Sequence, residues 1–328
     1  MADLSTDLSE RLAPIVAQSL AVATVDITSL TRLTGGASRE TWQCVAFADG
    51  VEHRMILQRG RVAPGGANSA SAGMEAEGEV LAAAEASGVP VAHVWARDGG
   101  VDRLGAPFLL TSFVAGETIA RKIQRDEYFG VARENLVRDL GLAAAKLHSV
   151  PVDLFDFLTQ VDPIEHYREV LDTLGFAHPA FELGFKYLAA NKPPMVSTCL
   201  VHGDLRLGNV IVNENGLAAI IDWELAHLGD PMEDLGWLCV RAWRFGGKAP
   251  VAGLGDYETL FAAYEEASGR VVDPAVVRWW EVMGTLKWGI MCIMQTSAHL
   301  TSMSRSVELA AIGRRVCENE YDLLELIS

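Results

Sequence analysis

The chain has 328 residues, half of them apolar, which is enough to bury a sizeable core and excludes disorder. Its net charge of −16, spread along the sequence, excludes nucleic acid as a partner, because neutralising phosphates requires clustered Lys and Arg. No uncharged apolar run reaches the length of a membrane-spanning helix, and the acidic, amphipathic first twenty residues lack the basic start of a secretory leader. Five scattered cysteines without CxxC spacing read as reduced thiols, so a cytoplasmic protein is expected; its expected state is a monomer or homodimer.

Leu8, Leu12, Val16 and Leu20 recur at helical spacing and predict a helix over 7–20, either continuous or interrupted at Pro14. Strands are expected at 25–33, 40–48 and 51–58, with Asp49-Gly50 as a hairpin turn. Residues 60–73 are rich in Gly, Ala, Ser and Pro and read as a loop. A helix over 74–86 stops at Gly88, with Pro90 just beyond, and strands follow at 92–97 and 107–114. Helices then dominate: 133–148, an insertion over 163–191, 257–268, 274–300 and 305–327. Strands first and helices later is an α+β pattern with two lobes, 1–114 and 115–328.

Residues 200–238 interrupt the helices and carry the chemistry. His202-Gly203-Asp204 is followed five residues later by Asn209, then by an apolar strand at 210–212, a turn at 213–216, and a strand at 217–221 delivering Asp222. Phosphoryl transfer needs this set: one Asp to receive the proton of an acceptor hydroxyl, and an Asn and a second Asp to hold Mg²⁺ against the nucleotide phosphates. Arg206, two residues past the expected base Asp204, would steady charge developing on the transferred group.

His-Gly-Asp followed by Asn209, and Ile-Asp-Trp-Glu at 221–224, resemble the aminoglycoside phosphotransferase-like family of the protein-kinase-like superfamily. The tail from Leu228-Gly229-Asp230-Pro231 to Asp234-Leu235 is similar to the subgroup of kinase domains associated with acyl-CoA dehydrogenases. The resemblance implies a two-lobed protein-kinase-like fold, with a small antiparallel-sheet nucleotide-binding lobe carrying one helix and a larger helical catalytic lobe. It also implies ATP and Mg²⁺ as cofactors and a small hydroxyl-bearing molecule as acceptor. Gly35, Gly36 and Ser38 would form the phosphate-covering turn, and Thr111 and Phe113 would lie at the hinge that meets adenine. Asp234 would receive backbone N–H groups of the catalytic loop. One position departs from the pattern. Where the third strand should present a Lys to the phosphates and to a helix Glu, matched here by Glu77, the chain has Gln58 followed by Arg59. Either Gln58 faces inward as a neutral donor or Arg59 turns in at the strand end. A nucleotide-binding pseudokinase or sensor is therefore the alternative to an active kinase. Arg241 and Arg244, among clustered tryptophans, would suit a carboxylate- or phosphate-bearing acceptor.

Overall fold

The computed structural model describes residues 2–33, 39–60, 71–303 and 305–328. The chain divides into two compact units. One comprises the residues up to Gly116 together with Ala218–Ala226; the other comprises Glu117–Leu217 and His227–Ser328.

The first unit is built on a five-stranded antiparallel sheet in the order β1-β2-β3-β5-β4, from β1 (Asp26–Leu33), β2 (Arg39–Ala48), β3 (Val51–Gly60), β4 (Val94–Asp98) and β5 (Phe108–Ser112). Asp49 and Gly50 both take positive φ, 49° and 80°, which matches the twist of β2 and β3 and fixes their register from Ala48↔Val51 to Arg39↔Gly60. Because side chains alternate along a strand, that register decides which residues share a face. Cys44, Ala46, Met55, Leu57, Phe108 and Leu110 face Leu8, Leu12, Ile15 and Val16 of helix α1 (Ala2–Leu20) and form an apolar core. The helix continues through Pro14, since burial of its apolar stripe outweighs one lost backbone hydrogen bond. The opposite face carries Leu109, which packs against helix α2 (Ser71–Ala86) so closely that a Cβ on Gly78 would meet it at 3.0 Å.

The second unit is mainly helical. It contains α3 (Ala120–Arg125), α4 (Gly130–Leu147), α5 (Pro163–Leu174), α6 (Pro179–Ala190), α7 (Met232–Cys239), α8 (Tyr257–Ser268), α9 (Pro274–Leu300), α10 (Val307–Ile312) and α11 (Val316–Ile327). Asp162 and Asp273 cap α5 and α9 directly before Pro163 and Pro274, which is why these starts are visible in sequence. The single helix expected over 305–327 is instead two. A 3-10 segment, Gly313–Arg315, separates α10 from α11, and an added Cβ on Gly313 would collide with the Thr296 side chain of α9. Two close approaches order the helices: Gly141 of α4 against the Leu260 carbonyl of α8, and Gly236 of α7 against Trp280 of α9, at 2.8 and 2.5 Å from a hypothetical Cβ. A short antiparallel pair, β6 (Cys199–Val201) and β9 (His227–Gly229), brackets the segment that carries the expected chemistry. Between them run β7 (Val210–Val212), a turn closed by Asn213 N–H to Gly216 O, and β8 (Leu217–Ile220).

Candidate active site

The loop after β6 reverses at Gly203, whose φ of 75° is open to glycine at no steric cost, and so presents Asp204. Both backbone N–H groups ahead of Asp204 are held by one buried carboxylate: Asp234 Oδ2 accepts from His202 at 2.8 Å and Oδ1 from Gly203 at 3.0 Å. His148 Nε2 stands 3.1 Å from Asp234 Oδ2, with Tyr264 Oη 3.0 Å from its other ring nitrogen. Burial works against the Asp234 charge, but the His148 and His202 interactions outweigh it and hold the carboxyl below its usual range. His202 Nδ1 accepts the Asp204 N–H at 3.1 Å, so the histidine braces the loop. From below, Lys287 Nζ donates to the Gly203 carbonyl at 2.8 Å.

The Asp204 carboxylate is oriented by three donors. Oδ1 accepts from Arg206 Nε at 3.0 Å and from Trp237 Nε1 at 2.8 Å; Oδ2 accepts from Asn209 Nδ2 at 2.6 Å. Asn209 Nδ2 also meets the Asp204 main-chain oxygen at 3.0 Å. A flipped amide would set oxygen against oxygen twice, so the neighbours determine its orientation and turn Oδ1 away from Asp204. Oxygen donors of this kind, an amide and carboxylates, fit Mg²⁺. Arg206 lies with its guanidinium carbon 4.6 Å from the centroid of the buried Trp243 ring, so its plane is supported as well as its charge.

Asp222 follows β8 in the segment belonging to the first unit and takes φ 67°, an uncommon backbone for a non-glycine residue, of the kind that clusters at functional sites. Trp223 directly after it is buried and donates its indole N–H to the Ile220 carbonyl at 3.1 Å.

In the first unit, Glu77 of α2 is buried and stands 2.6 Å from Arg39 Nη1, at the start of β2. Burial pushes the Glu77 carboxyl up, and Arg39 and the Trp223 N–H only partly offset this. Gln58 lies in register with Thr41 and Leu109, on the α2 side of the sheet. Arg59 points to the opposite face, pairing with Glu40 at 3.6 Å, and does not join Gln58. Thr111 is buried on β5, opposite Ile56. Phe113 donates its N–H to the Arg54 carbonyl at 2.9 Å and has the Arg54 guanidinium 4.0 Å from its ring centroid. Gly35, Gly36 and Ser38 lie outside the described residues.

The arginines expected near an acceptor already have partners. Arg241 donates to Asp322 at 2.9 Å, and Arg244 to the Cys239 carbonyl and Glu281 at 2.9 and 3.1 Å, so their charge is satisfied within the protein. Trp237, Trp243 and Trp288 are buried together with Val240 and Cys292 as a core cluster. Lys287, His148 and Arg39 were not singled out in the sequence. The one visible trace of Lys287 is a lone cation within the apolar run of α9.

Residues 29–280 match the model of the phosphotransferase enzyme family. Acyl-CoA dehydrogenase family member 10 of Mus musculus is 29% identical over 180 residues, 51% of this chain and 16% of that relative. The chain thus corresponds to only a small part of that relative's length. A crystal structure of a candidate aminoglycoside phosphotransferase from Ralstonia eutropha superposes with a TM-score of 0.75 at 19% identity, covering 97% of each chain. A GDP complex of an aminoglycoside 2′-phosphotransferase mutant superposes with a TM-score of 0.66 at 15% identity, covering 96% of this chain and 98% of the other. With an α+β, two-lobed protein-kinase-like fold, the chain belongs to the phosphotransferase enzyme family of small-molecule kinases.

Proposed function

We propose that this enzyme transfers the γ-phosphate of ATP to a hydroxyl of a small molecule in a Mg²⁺-dependent reaction, with Asp204 as base. The observation that carries the reading is the state of the Asp204 carboxylate. Oδ1 is engaged by Arg206 and Trp237, and Oδ2 by Asn209 alone, so a second lone pair on Oδ2 is left for an acceptor O–H. In the proposed step that proton passes to Oδ2 as the acceptor oxygen bonds to the γ-phosphorus and the bond from phosphorus to the leaving ADP oxygen breaks. Asn209 and Asp222 would hold the cation, which when bound neutralises phosphate charge. Arg206 keeps the base aimed through its Nε–H. The three tethers of the loop, through Asp234, His202 and Lys287, fix its position, and in phosphoryl transfer positioning and electrostatics supply most of the catalysis.

Of the nucleotide-site assignments, Gln58, Glu77, Thr111 and Phe113, with Gly35, Gly36 and Ser38, remain part of the proposal. Arg59 is set aside, because it faces α1 and pairs with Glu40. The charge of −16 fits a small-molecule acceptor and the absence of a nucleic-acid partner. Among the described residues, no helix is long and apolar enough to cross a membrane.

The test is ATP and GTP consumption over a panel of hydroxyl-bearing compounds, followed by Asp204→Asn on the best acceptor. Asp204→Asn is expected to lower kcat by about a hundredfold while leaving ADP affinity near wild type. Turnover close to wild type by this variant would end the assignment of the base. MgATP binding without turnover across the whole panel would instead favour a nucleotide-binding sensor.

A further inference from the structure

We propose that Arg39, on the second strand, supplies the phosphate-binding cation that the third strand lacks. This rests on the phosphotransferase reading above and names a residue for it.

A kinase site needs one cation that meets both a buried helix glutamate and the nucleotide phosphates. Gln58 has no charge to give, and Arg59 is on the wrong face of the sheet with Glu40 as partner. Residues 39 and 41 alternate onto the same face of β2, and the cross-strand pair Thr41↔Gln58 puts Arg39 on the face that Gln58 and Leu109 present to α2. There Arg39 Nη1 approaches Glu77 to 2.6 Å. The contact joins a guanidinium to a buried carboxylate and anchors that end of Arg39. Nη2 stands 3.5 Å from Glu224, two residues beyond Asp222.

The two partners differ in kind. Glu77 is buried, whereas Glu224 has 43% of its side chain exposed. An exposed ion pair is weak, and a planar guanidinium can exchange one carboxylate for a phosphate while keeping the other. Arg39 is then held by Glu77 and turns its second nitrogen from Glu224 to the nucleotide. A lysine on the third strand would do the same from a neighbouring position; here the charge has come one strand over. Glu77 also accepts the backbone N–H of Trp223, so the same cluster braces the segment that carries Asp222.

The test is calorimetric titration of the full chain with ADP and, separately, with adenosine. Arg39→Gln is expected to weaken ADP binding at least about tenfold while adenosine binding stays within about twofold, because only ADP carries phosphate charge. Glu224→Gln, an exposed substitution that leaves the core untouched, is expected to tighten ADP binding by about threefold, with adenosine unchanged. Arg39→Gln that binds ADP like wild type, or that loses adenosine in the same proportion, overturns the proposal. So does Glu224→Gln that leaves ADP binding unchanged or weaker, and this variant decides the matter if Arg39→Gln does not fold. A wild-type chain that binds neither ligand would overturn the phosphotransferase reading itself, a result distinct from the failure of Arg39 alone.

Discussion

Lys287 Nζ and the Gly203 carbonyl oxygen stand 2.8 Å apart, tying the centre of the longest helix, α9, to the turn that presents Asp204. The ammonium is buried, lies 3.3 Å from Glu233 Oε1, and sits 4.6 Å from the Trp237 ring centroid. Trp237 in turn donates to Asp204. Burial alone would drive the Lys287 ammonium toward its neutral form, but attraction to Glu233, Tyr167 and Asp204 more than offsets this and holds its pKa up. The carboxyl of Glu233 is held down by Lys287 and His227 against the same burial. The pair therefore stays ionised, and its charge is used on a backbone oxygen of the catalytic loop.

Lys287→Met should therefore destabilise the protein by about 3–5 kcal/mol, because it strands a buried carboxylate and a buried carbonyl together. Urea denaturation followed by tryptophan fluorescence measures this. Adding Glu233→Gln to the same chain should recover part of the loss, since the stranded charge is then gone. A single-variant loss below about 1 kcal/mol would mean that the ammonium has little structural weight.

Arg206 acts on Asp204 by geometry as much as by charge, through a directed Nε–H and a guanidinium held over the Trp243 ring. Arg206→Lys keeps the charge but has neither feature, so its kcat should fall nearly as far as that of Arg206→Ala, about tenfold or more. Gly208→Ala provides an independent check. A Cβ there would collide with Arg206 Nη1, the movable end of a side chain, and should push the guanidinium off Asp204 without removing it. A smaller loss of kcat, with thermal stability close to wild type, is expected. If Gly208→Ala turns over like wild type, the position of Arg206 does not govern the base.

What the sequence made legible follows from how local each signal is. Asp162-Pro163 and Asp273-Pro274 are complete helix starts within two residues, and Asp49-Gly50 is a complete hairpin turn, so these elements could be located without tertiary information. The separation of Asp204 and Asn209 was readable for the same reason: five residues close the hydrogen bond between them. The 3-10 segment that divides the end of the chain was not readable: Gly313, which opens it, packs against Thr296 of another helix, a contact that no neighbouring residue marks. Long-range charge partners were hidden as well. Arg39 and Glu77 are 38 positions apart, and nothing near either one names the other; only the strand register and the burial of α2 bring them together. The same holds for the membership of Ala218–Ala226 in the first unit, which includes the backbone bond from Ile220 N–H to the Pro90 carbonyl.

The two bonds from Asp234 to the backbone ahead of Asp204 give the fold an acid-sensitive element. The folded-state carboxyl of Asp234 is held below its ordinary value of about 3.9, so its contribution to stability is complete above that pH and is lost as pH falls through the folded value. Asp234→Asn cannot titrate, and its amide can accept through only one oxygen. At pH 7 the variant should be less stable than wild type by about 2 kcal/mol, the cost of a charge-assisted hydrogen bond. Below about pH 4 the difference should narrow, because wild type alone is losing the contribution. Glu77 and Asp230, whose carboxyls burial pushes up, titrate in both proteins and cancel from the comparison. Urea midpoints for the two proteins at pH 7 and pH 3 measure the effect. A gap that stays constant or widens on acidification would show that Asp234 holds the catalytic loop through hydrogen bonds that do not depend on its charge.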